Sequence, residues 1–290
     1  VEQVTGIFAL AISLVAPWAP PRVEKSLPQG YGLAARYRED RGIAKDAAVI
    51  FADNFESDAI TWDGDVKHPI RAKEKGRAHS GRYSYRMTAQ RGKAAGAPGL
   101  VKWFDPGFDQ VYARWYAMWA EDYDQGDLNH VGGNLVGMND HWLLGVSGRK
   151  PDGTDMFSTG LEPWRDWKRN PPPGELMFYT YYPEMTRDPD GNYWGNSFRP
   201  KRKFLVDRGR WYCLEMMVKV NHPEKADGEQ AFWVDGKLVG HSTGIKWRTV
   251  DTLKVNGFWL MLYIHDNPQP NTVWYDDVVL ARSYIGPMGR

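Results

Sequence analysis

Apolar and polar residues alternate with a period of two through much of the chain, most plainly near the C-terminus. In Gly209-Arg-Trp-Tyr-Cys-Leu-Glu-Met-Met-Val-Lys-Val-Asn221, one face of an extended strand collects Tyr212, Leu214, Met216, Val218 and Val220. The other collects Trp211, Glu215, Lys219 and Asn221, with Met217 as an apolar exception. A half-buried antiparallel strand requires that alternation. Asp227-Gly228 and Asp235-Gly236 are turn dipeptides flanking the next strand, and Trp274-Tyr-Asp-Asp-Val-Val-Leu280 reads as another. The same reading predicts strands over 83–88, 99–104, 111–119, 143–147, 176–182, 211–220, 231–234, 258–264 and 274–281. Pro/Gly/Asp/Asn clusters such as Pro171-Pro-Pro-Gly174 and Asp188-Pro-Asp-Gly191 separate them. Neither a long amphipathic helix nor a repeat of fixed period is visible. The expected fold is all-β, a jelly-roll β-sandwich of two antiparallel sheets.

The pattern divides the chain into three parts. Residues 1–20 contain the apolar run Gly6-Ile-Phe-Ala-Leu-Ala-Ile-Ser-Leu-Val-Ala-Pro17, shorter than the ~20 residues of a membrane-spanning helix. Small residues and prolines follow it, as in a secretory signal peptide, so the expected location is secreted or periplasmic. Residues 21–47, rich in Pro, Gly and charge, read as a leader or wrapping arm. Residues 48–290 read as a single jelly-roll domain. The stretches 121–139 and 188–202 exceed ordinary hairpin loops, and loops that long are more often functional than decorative.

Composition narrows the partners. Thirty-seven basic and 36 acidic side chains leave a net charge of +1, with no basic stripe, which argues against nucleic acid. The 14 Trp and 15 Tyr stand out; most belong to packing, and a minority suit stacking on the apolar faces of sugar rings. A monomer that binds a polysaccharide is the expectation. The single cysteine, Cys213, forbids an intrachain disulfide and sits among apolar neighbours as an inert residue. Asp53-Asn-Phe-Glu56, Ala78-His-Ser-Gly-Arg-Tyr-Ser84 and Tyr275-Asp-Asp-Val-Val-Leu280 together resemble the edge of carbohydrate-binding jelly rolls that hold a structural calcium. That resemblance implies Asp53, Glu56, Ser80 and Asp277 as oxygen ligands. Strand and turn capping is the alternative role for these acids.

Four segments offer chemistry. On 111–119, Tyr112, Arg114 and Tyr116 share a face that places a guanidinium among phenols, suited to a carboxylate or hydroxyl-rich ligand. A surface ion pair is the alternative for that arginine. In Asp127-Leu-Asn-His-Val-Gly-Gly-Asn134, His130 is the best single candidate for a general base, with Asn129 beside it. The glycine pair is expected to let backbone approach a ligand. Glu175, Tyr179 and Tyr181 share a strand face, presenting two phenols to a groove or forming an aromatic ladder. Trp259, Tyr263 and His265 share another, before a loop expected over 265–270.

The order of these pieces resembles the polysaccharide lyases of families fourteen and twenty, alginate and glucuronan lyases built on a concanavalin A-like jelly roll. The match runs from about Val111 to Leu280. It rests on Arg114 and Tyr116, on Gly132 and Gly133, on the Tyr-x-Tyr-x-Pro strand at Tyr179, Tyr181 and Pro183, and on Gly209-x-Trp211 leading to Trp233-Val-Asp-Gly236. Where the resemblance implies a lysine in the Gly-rich segment, this chain carries Asn129 and His130. The arginine it implies before the tyrosines is absent from Phe157-Ser-Thr-Gly-Leu-Glu-Pro-Trp164. The resemblance implies β-elimination on a uronate polysaccharide. Arg114 or Asn129 would quench the carboxylate, His130 would take the C5 proton, and Tyr179 or Tyr181 would protonate the leaving oxygen. Tyr112, Tyr116, Glu175, Trp259, Tyr263 and His265 would contact substrate. Two other classes stay open at this point. One is a non-catalytic carbohydrate-binding protein. The other is a retaining glycoside hydrolase, which needs two carboxylates ~5–5.5 Å apart.

Overall fold

Alternation becomes two stacked antiparallel sheets in the computed structural model of the chain, which describes residues 26–59, 61–63, 71–72 and 77–289. The signal-like segment 1–20 and the first residues of the arm lie outside the described residues. In chain order the strands are β1 (Val49–Asp53), β2 (Arg71–Ala72), β3 (Ser84–Ala89), β4 (Gly92–Phe108), β5 (Gln110–Trp119), β6 (Asn129–Met138), β7 (Met156–Trp164) and β8 (Gly174–Tyr181). Then come β9 (Asn196–Phe198), β10 (Leu205–Val206), β11 (Tyr212–Lys219), β12 (Gly228–Val234), β13 (Lys237–Ile245), β14 (Val255–Asn267) and β15 (Asn271–Ala281). One sheet is ordered β13-β12-β11-β5-β15-β3-β2, with β1 also on β15. The other is ordered β10-β8-β7-β6-β14-β4, with β9 also on β8. Among the described residues the only helices are three short 3-10 turns. This is the expected jelly-roll β-sandwich.

The space between the sheets takes one side chain in two from each strand. Val111, Ala113, Trp115, Ala117 and Trp119 of β5 and Leu214, Met216 and Val218 of β11 meet Val131, Leu135, Phe178, Phe258, Leu260 and Leu262 from the other sheet. Each large side chain so buried contributes roughly 1.5–3 kcal/mol. A polar trio interrupts this apolar layer, where Thr159 donates to Gln230 and shares a hydrogen bond with Thr180.

A second apolar layer covers the outer face of the β5/β11/β15 sheet. Residues 26–47 and the segment after β15 lie there, bringing Leu33, Ala34, Ile43, Tyr284 and Ile285 onto Tyr112, Met217 and Trp233. The backbone of the arm is tied down as well: Trp233 Nε1 donates to Pro28 O, and Gly30 N donates to Gly236 O. Met217 is therefore apolar because its outward face is covered, which β-periodicity cannot show.

Three local expectations need correction. The segment 121–139 is not all loop, since β6 occupies Asn129–Met138; two glycines, an asparagine and a histidine lower its strand propensity and hide it. The predicted strand at 143–147 is absent. A 3-10 turn, His141–Leu143, stands there, with Asp140 capping the Trp142 amide. The loop expected over 265–270 starts late, because β14 continues to Asn267.

Candidate active site

The outward face of the seven-stranded sheet is where polar chemistry gathers. On β6 the inward positions are Val131 and Leu135, so His130 and Asn134 point out. On β7, Phe157 and Leu161 point in, which sends Ser158, Gly160 and Glu162 outward. On β8, Phe178 points in, leaving Glu175, Met177, Tyr179 and Tyr181 outward. On β14, Trp259, Met261, Tyr263 and His265 complete the floor, since Phe258, Leu260, Leu262 and Ile264 fill the core.

His130 stands at the centre of this floor. Its Nδ1 lies 3.2 Å from Oε2 and 3.3 Å from Oε1 of Glu162. Its ring lies 5.0 Å from that of Tyr179, 5.5 Å from His265 and 6.2 Å from Tyr263, its partner in register. Tyr179 and Tyr181 meet edge to face at 5.7 Å. Burial by itself would lower the His130 pKa, but the charge and hydrogen bond of Glu162 outweigh it and the net shift is upward. Burial, and then the charge of His130, push His265 down, so that ring is a neutral donor. Burial, reinforced by Tyr181, pushes the Tyr179 phenol far above its ordinary value. Tyr179 is therefore a proton carrier throughout the neutral range.

Glycines shape the floor. Asn134, Gly160 and Tyr179 are successive register partners across β6, β7 and β8. A Cβ on Gly160 would stand 2.2 Å from Asn134 Oδ1, so the missing side chain is what leaves room for the amide. A Cβ on Gly195 would meet the Tyr179 ring at 2.5 Å, which places the chain after β8 directly against the phenol. The Gly132-Gly133 pair serves packing rather than ligand approach. A Cβ on Gly132 would meet Leu161 O at 2.2 Å, and one on Gly133 would meet the Trp115 indole at 2.7 Å.

Of the residues singled out from sequence, His130, Tyr179, Tyr181, Glu175, Trp259, Tyr263 and His265 share this face. Four do not. Arg114 belongs to β5 in the other sheet and faces away from the cleft, fully buried and paired with Asp40 of the arm. Tyr112 and Tyr116 flank it on that same back face; Tyr112 accepts a hydrogen bond from Gln110, and Tyr116 accepts one from Met288 N. A hollow lined by His79, Tyr116, Trp211 and Cys213 lies beside them. Burial pushes the Cys213 thiol up to about 12, which keeps it unreactive. Asn129, one residue from His130, necessarily points to the opposite side and donates to Pro163 O inside the protein. Sequence reasoning could weigh Glu162 only as a hydrolase carboxylate alongside Glu175; it missed the pairing of Glu162 with His130, and it missed Asn134. The only sequence signal of that pairing was the outward parity of Glu162 on a strand between the histidine strand and the tyrosine strand.

The proposed calcium ligands do not converge. Asp53 accepts from Phe55 N, Thr61 Oγ1 and Trp62 Nε1. Glu56 accepts from Arg82 N and Tyr83 N. Ser80 and Asp277 do meet, at 2.8 Å, but the second Asp277 oxygen faces His79 Nδ1 at 2.7 Å. Among the described residues no three His, Cys, Asp or Glu side chains form a group able to hold a metal. As placed, the set does not fit calcium's need for six to eight open oxygens.

Residues 107–264 match the family model described as polysaccharide lyase 14. None of the curated proteins matches the sequence. Among solved structures, the chain is similar to a marine alginate lyase from Aplysia kurodai, with a TM-score of 0.63 at 13% identity over 81% of this chain and 100% of that one. It is also similar to an alginate lyase from a Chlorella virus, with a TM-score of 0.61 at 14% identity over 81% of this chain and 99% of that one. At such identities the likeness is one of fold.

Proposed function

Because the chain belongs to the polysaccharide lyase 14 family, whose model spans more than half of it, and is a polysaccharide lyase, we propose that it cleaves a uronate-containing polysaccharide by β-elimination. One observation carries the reading. An imidazole, oriented through Nδ1 by a carboxylate, stands beside a protonated phenol on an open sheet face. In this reading Nε2 of His130 takes the proton from C5 of the uronate. The electron pair of the broken C–H bond forms the C4–C5 double bond, the C4–O bond breaks, and the departing oxygen takes a proton from Tyr179. Donors must also stabilise the enolate that develops at the carboxylate, the largest electrostatic demand of such a reaction. Arg114 and Asn129 lie on the wrong sides for this. The Asn134 amide and the neutral His265 ring replace them as the groups facing the uronate.

Support also comes from how the acids are held. Glu162 is committed to His130, and Glu175 lies 3.8 Å from Lys203 and 4.0 Å from Arg199, an arrangement that favours neither as the proton donor of a hydrolase. A polymeric substrate agrees with an exported protein. Among the described residues no helix is long and apolar enough to cross a membrane.

Incubation with a panel of uronate polymers, followed by ultraviolet absorbance of the unsaturated product, tests the reaction. His130→Ala is expected to lower kcat by about 10²–10⁴, the usual range for a lost general base. New reducing ends without absorbance would mean hydrolysis. Wild-type kcat in the variant would remove His130 from the mechanism.

A further inference from the structure

The two segments Arg165-Asp-Trp-Lys-Arg169 and Arg199-Pro-Lys-Arg-Lys203 lie far apart in the sequence, and Asp166 is the only acid in either. The fold joins them at one edge of the cleft. Arg199 donates to both oxygens of Asp166, at 2.8 and 3.4 Å, and its guanidinium lies 4.7 Å above the Trp164 ring. Lys203 Nζ donates to Asn170 Oδ1 at 2.9 Å. Asp166 is thereby consumed, and Glu175 of the cleft floor faces Arg199 and Lys203, while Lys168, Lys201 and Arg202 stay exposed with no ion pair among the described residues. In a chain of net charge +1, this is a strongly local excess of positive charge.

The backbone between β7 and β8 is built to present this edge. Asp166, Trp167 and Lys168 have φ of 51°, 55° and 64°, three consecutive non-glycine residues in the left-handed region. That conformation is unfavourable for residues with a Cβ, and strain of this kind clusters at ligand-holding sites. Its effect is to leave Trp167 60% exposed, against the edge of Trp164 at 6.0 Å. An exposed indole amid unpaired cations serves no packing purpose. Trp164 is two residues along β7 from Glu162, about 7 Å on the same sheet face, so the platform continues the cleft floor away from His130.

We propose that this edge is a second binding platform for the same substrate. It holds a stretch of acidic polysaccharide that extends beyond the residue being cleaved. Its cations pair with successive carboxylates, and the Trp167 ring stacks on an apolar sugar face. The direction of the chain rests on the lyase reading above; the charge recognition does not.

The test is binding by the full chain, in affinity electrophoresis, to a uronate polymer and to the same polymer after reduction of its carboxyl groups to neutral alcohols. The wild type is expected to be retained by the uronate polymer only, and less so as salt rises. The triple variant Lys168→Ser/Lys201→Ser/Arg202→Ser should bind about tenfold more weakly, the modest loss expected when three solvent-exposed charge contacts are removed. Trp167→Ala should weaken retention further. Equal retention of wild type and triple variant overturns the platform, even if turnover is intact. Equal retention by the reduced polymer overturns it too, as does tighter binding of a single-stranded oligonucleotide through the same residues. Charge-dependent retention without cleavage would support the platform and defeat only the proposed reaction.

Discussion

His130 and Glu162 come from neighbouring strands, and their contact decides how the imidazole titrates. The ring is enclosed enough for burial to depress its pKa, and the carboxylate reverses that sign. A base must be neutral to act, so kcat/KM is expected to rise with pH through an apparent pKa above the ordinary 6.5. In Glu162→Gln the raising influences vanish and burial remains, so the acid limb of the pH–rate profile should move to lower pH. A limb that stays in place would mean that Glu162 does not touch the working base. The same pair bears on stability with a definite sign. The folded pKa is raised, so its contribution is fully present below the unfolded value and is lost as pH climbs through the folded one.

At the level of elements, the arm 26–47 and the segment after β15 behave as a clamp on the back sheet. Arg114 is fully buried, its Nη2 paired with Asp40, while Nε and Nη1 have no hydrogen-bond partner. Opposite it in register, Glu215 accepts from Ile285 N and Gly286 N, each at 2.8 Å, and burial pushes its pKa up to about 7. Asp40→Ala would remove the ion-pair partner of the buried guanidinium and leave Glu215 as the acid facing it, an expected loss of about 3–5 kcal/mol seen as a lower denaturation midpoint. A midpoint unchanged from wild type would show that the arm does not hold the sheet. Asp53 of β1 and Asp277 of β15, with Glu56 and Ser80 in the neighbouring turns, are the side chains that the sequence offers to calcium. Their oxygens already have protein donors, so chelation is expected to leave the melting temperature where it is. A drop of several degrees, restored by calcium, would show that these side chains rearrange around an ion.

Across the whole molecule, the sandwich separates what it does from what holds it together. His130 and Asp40 sit outside opposite sheets, and stacked sheets alone are about 10 Å apart. The stability changes of His130→Ala and Asp40→Ala should therefore add to within about 0.5 kcal/mol when combined, as judged by chemical denaturation. A larger discrepancy would mean that the core transmits strain from the arm to the cleft floor. Activity should divide the same way, with the double variant losing turnover through His130 alone.

Period-two alternation was enough to specify strands, their inward faces and hence a two-layer β fold, because burial on one side of a sheet is a local property of every second residue. It also brought Tyr179 and Tyr181 into view as chemistry-bearing positions, whereas His130 stood out by residue type alone. What lay beyond it was which sheet each strand joins. Arg114 and His130 are only 16 positions apart, yet the chain crosses from one layer to the other between β5 and β6, and the arginine ended under the arm. Glu162 became the partner of His130 only through the β6–β7 pairing, and the two basic segments became one platform only through the turn after β7. Strand identity follows from neighbours along the chain; a site follows from neighbours across it, and those are set by packing.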